Sequence, residues 1–269
     1  MKSKFFLLVA LVLLSCSLSA FAQARIPVNH LPFKITKPGN YYFPKDLVLE
    51  QSLAGGAAII IQASNVDLDL NGRALVAASA VGQNTVGIVS AFVTSVTVHN
   101  GTIRGFHTGL IMEGMGSSNV GDESTLSSDF LCERLRVTDL SGLNPEGIAI
   151  LGNHAEIRNC QVVGIGNYGI NLRGLNMFVR DCDVSGDLTQ AVHVEAIATV
   201  IEHSRFHQTR NTRQGTGIFV LGTTTVIDGC DLVGYEDSIL LGFQSSAKYR
   251  NNSITNCTRT GGTDAGGNY

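Results

Sequence analysis

Residues Gly147–Ile165 read GIAILGNHAEIRNCQVVGI, and 22 positions further on Gly169–Asp187 reads GINLRGLNMFVRDCDVSGD. Apolar and polar residues alternate in both stretches, and a Cys returns in the same slot. Alternation with a period of two is the pattern of a strand with one face buried, not of a helix. A phrase that returns at this interval points to a fold built from stacked units. The triplet Ile157, Cys160, Val162 becomes Val179, Cys182, Val184 and then Ile201, Ser204, Phe206, each time after 22 residues. It becomes Ile227, Cys230, Leu232 after 26, and Tyr249, Asn252, Ile254 after a further 22. A second short strand precedes each triplet: Ile148 and Ile150, Ile170 and Leu172, Val192 and Val194, Ile218 and Val220, Ile239 and Leu241. Gly147, Gly169 and Gly217 stand directly before three of these.

Strands of three to five residues joined by wide turns cannot pair as hairpins within one repeat. Each must pair with its equivalent one repeat later, which gives an all-β, single-stranded parallel coil with turns of about 22 residues. Successive coils then lie about 4.8 Å apart, and equivalent side chains stack into ladders along the axis. Cys160, Cys182, Ser204 and Cys230 form one inward ladder on this reading. Asn71, Asn100 and Asn159 fall at the bend before it, where Asn tolerates positive φ. Looser copies lie upstream, in NVDLDLNGRAL from Asn65 and VTVHNGTIRGF from Val96.

Composition agrees with such a coil. Charged residues make up 15% of the 269 and there are 30 glycines, fewer charges and more turn formers than an average soluble domain carries. Lys2 and Lys4, the apolar run Phe5–Leu14 and the small-residue site Ala20-Phe21-Ala22 make residues 1–22 a secretory signal peptide. Its apolar run is too short to span a bilayer. Residues 23–269 are then one soluble domain, periplasmic or secreted, with no integral membrane segment. Leu13-Leu14-Ser15-Cys16 offers the alternative of a lipoprotein anchored through Cys16. Removing Lys2 and Lys4 takes the net charge from −3 to −5, which gives nucleic acid no global attraction. The Gly-rich tail 258–269 has no helix to cap the open coil edge. Either the tail covers that edge or a partner does, edge-to-edge self-association included.

Several familiar motifs fail on inspection. Asp67-Leu68-Asp69-Leu70-Asn71-Gly72 opens like a calcium loop, but Ala78 stands where a bidentate Glu is required, so calcium is a weak prospect and no cofactor is expected. Gly164-Ile165-Gly166-Asn167-Tyr168-Gly169 spells a dinucleotide fingerprint with no helix after it. His203 and His207 lie about 13 Å apart on an extended segment, too far to share an ion. Cys160 and Cys182, in adjacent coils, either bridge or belong to a ladder of small buried thiols.

The outward positions of the strand that opens each coil read Ala149 and Leu151, Asn171 and Arg173, His193 and Glu195, Phe219 and Leu221. Two adjacent polar rungs between apolar ones bring an amide, a guanidinium, an imidazole and a carboxylate together. Long segments frame them, from Gly114 to Asp129 and from His207 to Gly215, and long loops in compact domains are often functional.

The stretches LPFKITKPGNYYFPKDL, ASNVDLDLNGRAL and NGTIRGF resemble the right-handed parallel β-helix proteins of the pectin-lyase-like superfamily, including NosD-like periplasmic proteins. The resemblance implies a right-handed coil and polysaccharide as the partner on the face that carries the two polar rungs. On that reading Arg173 neutralises a uronate carboxylate, His193 removes the adjacent proton, Glu195 orients His193 and Asn171 completes the catalytic set, the β-elimination of a lyase. Tyr168, Phe219, Arg210 and Arg213 would contact the polymer, the two arginines favouring an acidic one. Hydrolysis fits less well, since a glycosidase usually needs two carboxylates about 5 to 9.5 Å apart and the patch has one. Neither a polygalacturonase-type Asp pair nor a pectate-lyase-type signature is present. The bland alternative is a non-catalytic surface or adhesin-like coil, because an outward His beside a Glu is also an ordinary exposed pair.

Overall fold

A computed structural model of the chain describes residues 24–51, 53, 56–78, 85–114, 128–209 and 214–268. Residues 1–22, read from the sequence as a signal peptide and including Cys16, lie outside the described residues, as do most of the segment after Gly114, Arg210 and Arg213. Within them the chain forms strands and no helix. Every strand pairing is parallel and joins one coil to the next, as in the pairs Glu146–Arg158 with Gln161–Arg180, and Gln161–Arg180 with Asp183–Ile197. No helix among the described residues is long and apolar enough to cross a membrane.

The ladders read from the sequence are the ladders of the fold. Ile148, Ile170, Val192, Ile218 and Ile239 pair in succession in a first sheet. Ile157, Val179, Ile201, Ile227 and Tyr249 do so in a second sheet. Val162, Val184, Phe206, Leu232 and Ile254 run through a third. Upstream, Phe33, Ile59, Ile88 and Leu110 carry the first sheet back to the first coil. The inward residues of the three sheets fuse into one continuous apolar core along the axis.

One difference from the sequence reading lies in strand length. Gln161–Arg180 is a single strand of 20 residues and Asp183–Ile197 one of 15, where short strands separated by turns were expected. The coils here are equal in length, so their bends stack as well. Gly164, Ile165 and Gly166 pair with Gly186, Asp187 and Leu188, and hydrogen bonding continues around the corner. Gly169 leads its strand for lack of room: a Cβ there would overlap Val184 and the Ala191 carbonyl in the next coil.

The bend before the third sheet interrupts the ladder of backbone hydrogen bonds, and the Cys/Ser/Asn slot repairs it. Cys182 N–H donates to Ser204 Oγ (3.1 Å) and Cys230 N–H to Asn252 Oδ1 (2.8 Å). The N–H of Cys160 meets the Cys182 sulfur, and that of Ser204 meets the Cys230 sulfur. Each side chain also donates to a carbonyl: Cys182 Sγ to Ile157 (3.6 Å), Ser204 Oγ to Glu202 (2.9 Å), Asn252 Nδ2 to Ile227 (3.2 Å). Buried backbone groups are costly when unpaired, which explains residues that are small and can both donate and accept. All five cysteines among the described residues are free thiols. The Cys160 thiol and burial push Cys182 well up, and burial pushes Cys230 up to about 12, so both stay protonated donors.

Asn71, Asn100 and Asn159 take φ of 55°, 60° and 53°. Asp183, Arg205 and Asp231 stack on the third sheet, with Arg205 and Asp231 at 3.7 Å, a balanced surface ladder. His203 and His207 are exposed. Asp67 and Asp69 of the calcium-like stretch lie in the strand Val66–Asp69, Asp67 against His99 at 3.0 Å and Asp69 against Arg25. At the far end the tail continues the coil through Arg259–Thr260 and Thr263–Asp264. Asn268 Oδ1 then accepts the Asn252 N–H (3.0 Å), so the tail closes the polar ladder.

Candidate functional site

The register of the first sheet sets Ala149, Asn171, His193 and Phe219 in one column and Leu151, Arg173 and Glu195 in the next. Arg173 Nε lies 3.0 Å from Glu195 Oε2, both side chains partly exposed. Asn171 and His193 are each only 5% exposed, although the strand turns them away from the core. Aromatic neighbours provide the cover. The His193 ring lies 4.8 Å from Tyr168 and 5.6 Å from Phe219, centroid to centroid, sandwiched along the axis.

His193 Nδ1 lies 2.7 Å from Gln190 Oε1. An amide oxygen only accepts, so this contact places the proton on Nδ1 and leaves the lone pair on Nε2. Burial holds the ring below its ordinary pKa of 6.5, Arg173 adding to the depression and Glu195 opposing it. The imidazole is therefore neutral at pH 7, the state of a general base. Asn171 Nδ2 reaches Glu146 Oε2 at 3.4 Å, while its Oδ1 is buried without a hydrogen-bond partner.

Two of these contacts differ from the sequence reading. Glu195 was expected to orient His193, but Glu195 is taken by Arg173, and Gln190 holds the ring. Neither Gln190 nor Glu146 was singled out. Both stand on one ladder, Glu146, Tyr168, Gln190, Thr216, just upstream of the polar columns. Extending the reading to that ladder is the signal that finds them. The second difference is burial, since a patch read as open is half covered by its own aromatic flanks.

Beside the upstream edge lies a recess of about 450 Å³ lined by Asn144, Pro145, Ile165, Asp187, Thr189 and Gln214 among others. None of the four polar-rung residues lines it. We place the site by chemistry, on the polar rungs, with the recess as a groove next to them. Among the described residues no group of three or more His, Cys, Asp or Glu is placed to hold a metal ion.

Parallel coils in three sheets, wound about one apolar core, define a right-handed parallel β-helix. No family model and no curated protein matches the chain. Solved structures do. Endopolygalacturonase I from Stereum purpureum, complexed with two galacturonates, matches with a TM-score of 0.60 at 12% identity, over 91% of this chain and 90% of its own. The Dettilon tailspike protein matches at 0.56 and 11%, over 91% of this chain and 59% of its own. Tailspike gp49 from the Acinetobacter baumannii bacteriophage Fri1, a capsular polysaccharide depolymerase, matches at 0.55 and 10%, over 91% and 58%. The chain thus spans under two thirds of either tailspike. At these identities the likeness is one of fold.

Proposed function

We propose that the chain binds polysaccharide along its first sheet, outside the cytoplasm, and that on a uronate-containing polymer the patch performs β-elimination. The observation that carries the reading is a neutral His193 held by Gln190 with its Nε2 lone pair free, one rung from Arg173. In the reaction the proton α to the uronate carboxylate passes to Nε2. The C4–O bond breaks as the C4=C5 bond forms, and the leaving oxygen takes a proton from solvent. Arg173 faces the charge that gathers on the carboxylate, where a fixed cation is most effective. Asn171 contributes an amide beside the ring. The fold neighbours, an endopolygalacturonase complexed with galacturonate and a capsular polysaccharide depolymerase, support a glycan as the partner. Glu195 is already paired with Arg173, which argues against its serving as the acid or base of a hydrolase.

The 5% exposure of His193 and Asn171 supports a second reading, a glycan-binding coil without catalysis. Purified protein is to be offered uronate-containing polymers, with unsaturated products followed by absorbance and binding by calorimetry. Cleavage that disappears in His193→Ala while binding persists establishes the lyase. Binding without cleavage by the native chain leaves the second reading. Absence of both removes both.

A further inference from the structure

Beyond His193 the outward face of the first sheet changes character. Phe219 pairs with Leu240 in register, and Leu221 follows Val220, its N–H bonded to the Val194 carbonyl (2.8 Å) beside Glu195. Leu221 is 39% exposed, Leu240 36%, and Phe243 in the following bend 90%. Leu221 lies against Gly242, where a Cβ would displace it. These side chains continue the aromatic run of Tyr168, His193 and Phe219 into an apolar shelf, and Arg173 and Glu195 on the two polar rungs beside it neutralise each other at 3.0 Å.

We propose that this shelf is a subsite for an uncharged sugar ring of the same bound glycan, seated by its C–H face on Phe243, Leu240 and Leu221. The inference rests on the polysaccharide reading and refines its substrate class, since the polymer must present at least one neutral residue next to the unit at His193. Two arguments favour a sugar over a second copy of the chain. A few exposed side chains offer a few hundred Å² at most, about the size of one or two rings, whereas a stable protein interface buries roughly 800 Å² on each partner. The shelf is also continuous with the polar rungs, so one extended polymer covers both.

The test uses fluorescently labelled neutral oligosaccharides (glucan, mannan and galactan series) and uronate oligomers of equal length. Native chain, Phe243→Ala and Leu240→Asn are compared, with circular dichroism checking the fold. The proposal expects a neutral series to bind and both substitutions to weaken it, on the order of tenfold for Phe243→Ala. Glycan binding that is the same in all three chains overturns the shelf and leaves the polysaccharide reading standing. Failure of every probe overturns both. A concentration-dependent dimer in sedimentation that Phe243→Ala abolishes assigns the shelf to self-association and overturns the proposal.

Discussion

Cys182 shows how little of a side chain's role follows from its hydrophobicity. It is buried in an apolar core, yet its sulfur accepts the Cys160 N–H and donates to the Ile157 carbonyl. Cys182→Ser keeps an acceptor for the Cys160 N–H and a donor for the Arg180 carbonyl two residues back, as Ser204 does toward Glu202 one coil on. Cys182→Val keeps the volume and strands an N–H and a carbonyl. We expect the Val variant to lose about 1–3 kcal/mol in urea unfolding and the Ser variant clearly less. Equal losses would return the slot to simple packing. His193 gives a second expectation, on pH. Its folded pKa lies below 6.5, so above that value folded and unfolded chains are both neutral and its full contribution is present. As pH falls below 6.5 the unfolded chain takes up a proton that the fold resists, and stability is lost down through the folded pKa. The measurement is the urea midpoint against pH, whose acid slope His193→Gln should reduce. The sequence places both residues on their ladders. It cannot show that a bend orphans particular backbone groups, or that Tyr168 and Phe219 close over the ring, because both depend on three-dimensional approach.

Strands and bends come next. The register of all three sheets was legible because apolar residues at matched offsets leave no other pairing with every side chain on its proper face. The strand lengths were not, because polar Gly-rich corners look like turns until equal coil lengths are seen to stack them. Gly174 marks such a corner, with φ of 132° and no room for a Cβ beside the Gly152 carbonyl. Gly174→Ala therefore introduces both backbone strain and overlap, and a loss of at least about 1–3 kcal/mol is expected. The equivalent residue one coil later is Ala196, fully buried. Ala196→Gly should cost only about 0.5–1 kcal/mol, the entropic penalty of glycine in a strand. A thermal melt of the two variants separates the cases, and a mild Gly174→Ala would show that the corner relaxes. The charge ladders matter less: Arg180, shared at 3.3 and 3.4 Å between Glu156 and Glu202, is partly exposed, and its removal should cost under about 1 kcal/mol.

In a solenoid each coil contacts only its neighbours, so stability is a sum of coil and interface contributions, and a coil can be removed if the interfaces it leaves are compatible. The equal coils between Glu146 and Ile197 allow a strict test. Deleting residues 169–190 joins Tyr168 to Ala191 and takes out one full 22-residue turn. Ile148 then faces Val192 and Ile157 faces Ile201, apolar on apolar, because the deleted partners occupied the same ladders. The Cys160 N–H, deprived of Cys182, finds Ser204 Oγ, the acceptor that Cys182 itself used. The shortened chain should fold, keep its β circular dichroism and unfold cooperatively at a lower Tm. Deleting residues 169–179 instead removes half a turn, sets first-sheet residues against second-sheet ones and should abolish folding. The pair also separates architecture from site, for the full-turn deletion removes Asn171 and Arg173 while retaining His193. A chain that folds yet has lost the glycan binding of the native protein would locate that binding on the deleted turn, which carries the Asn171–Arg173 rung and Gln190. If both deletions fold equally well, stacking by equivalent coils is not what holds the molecule together.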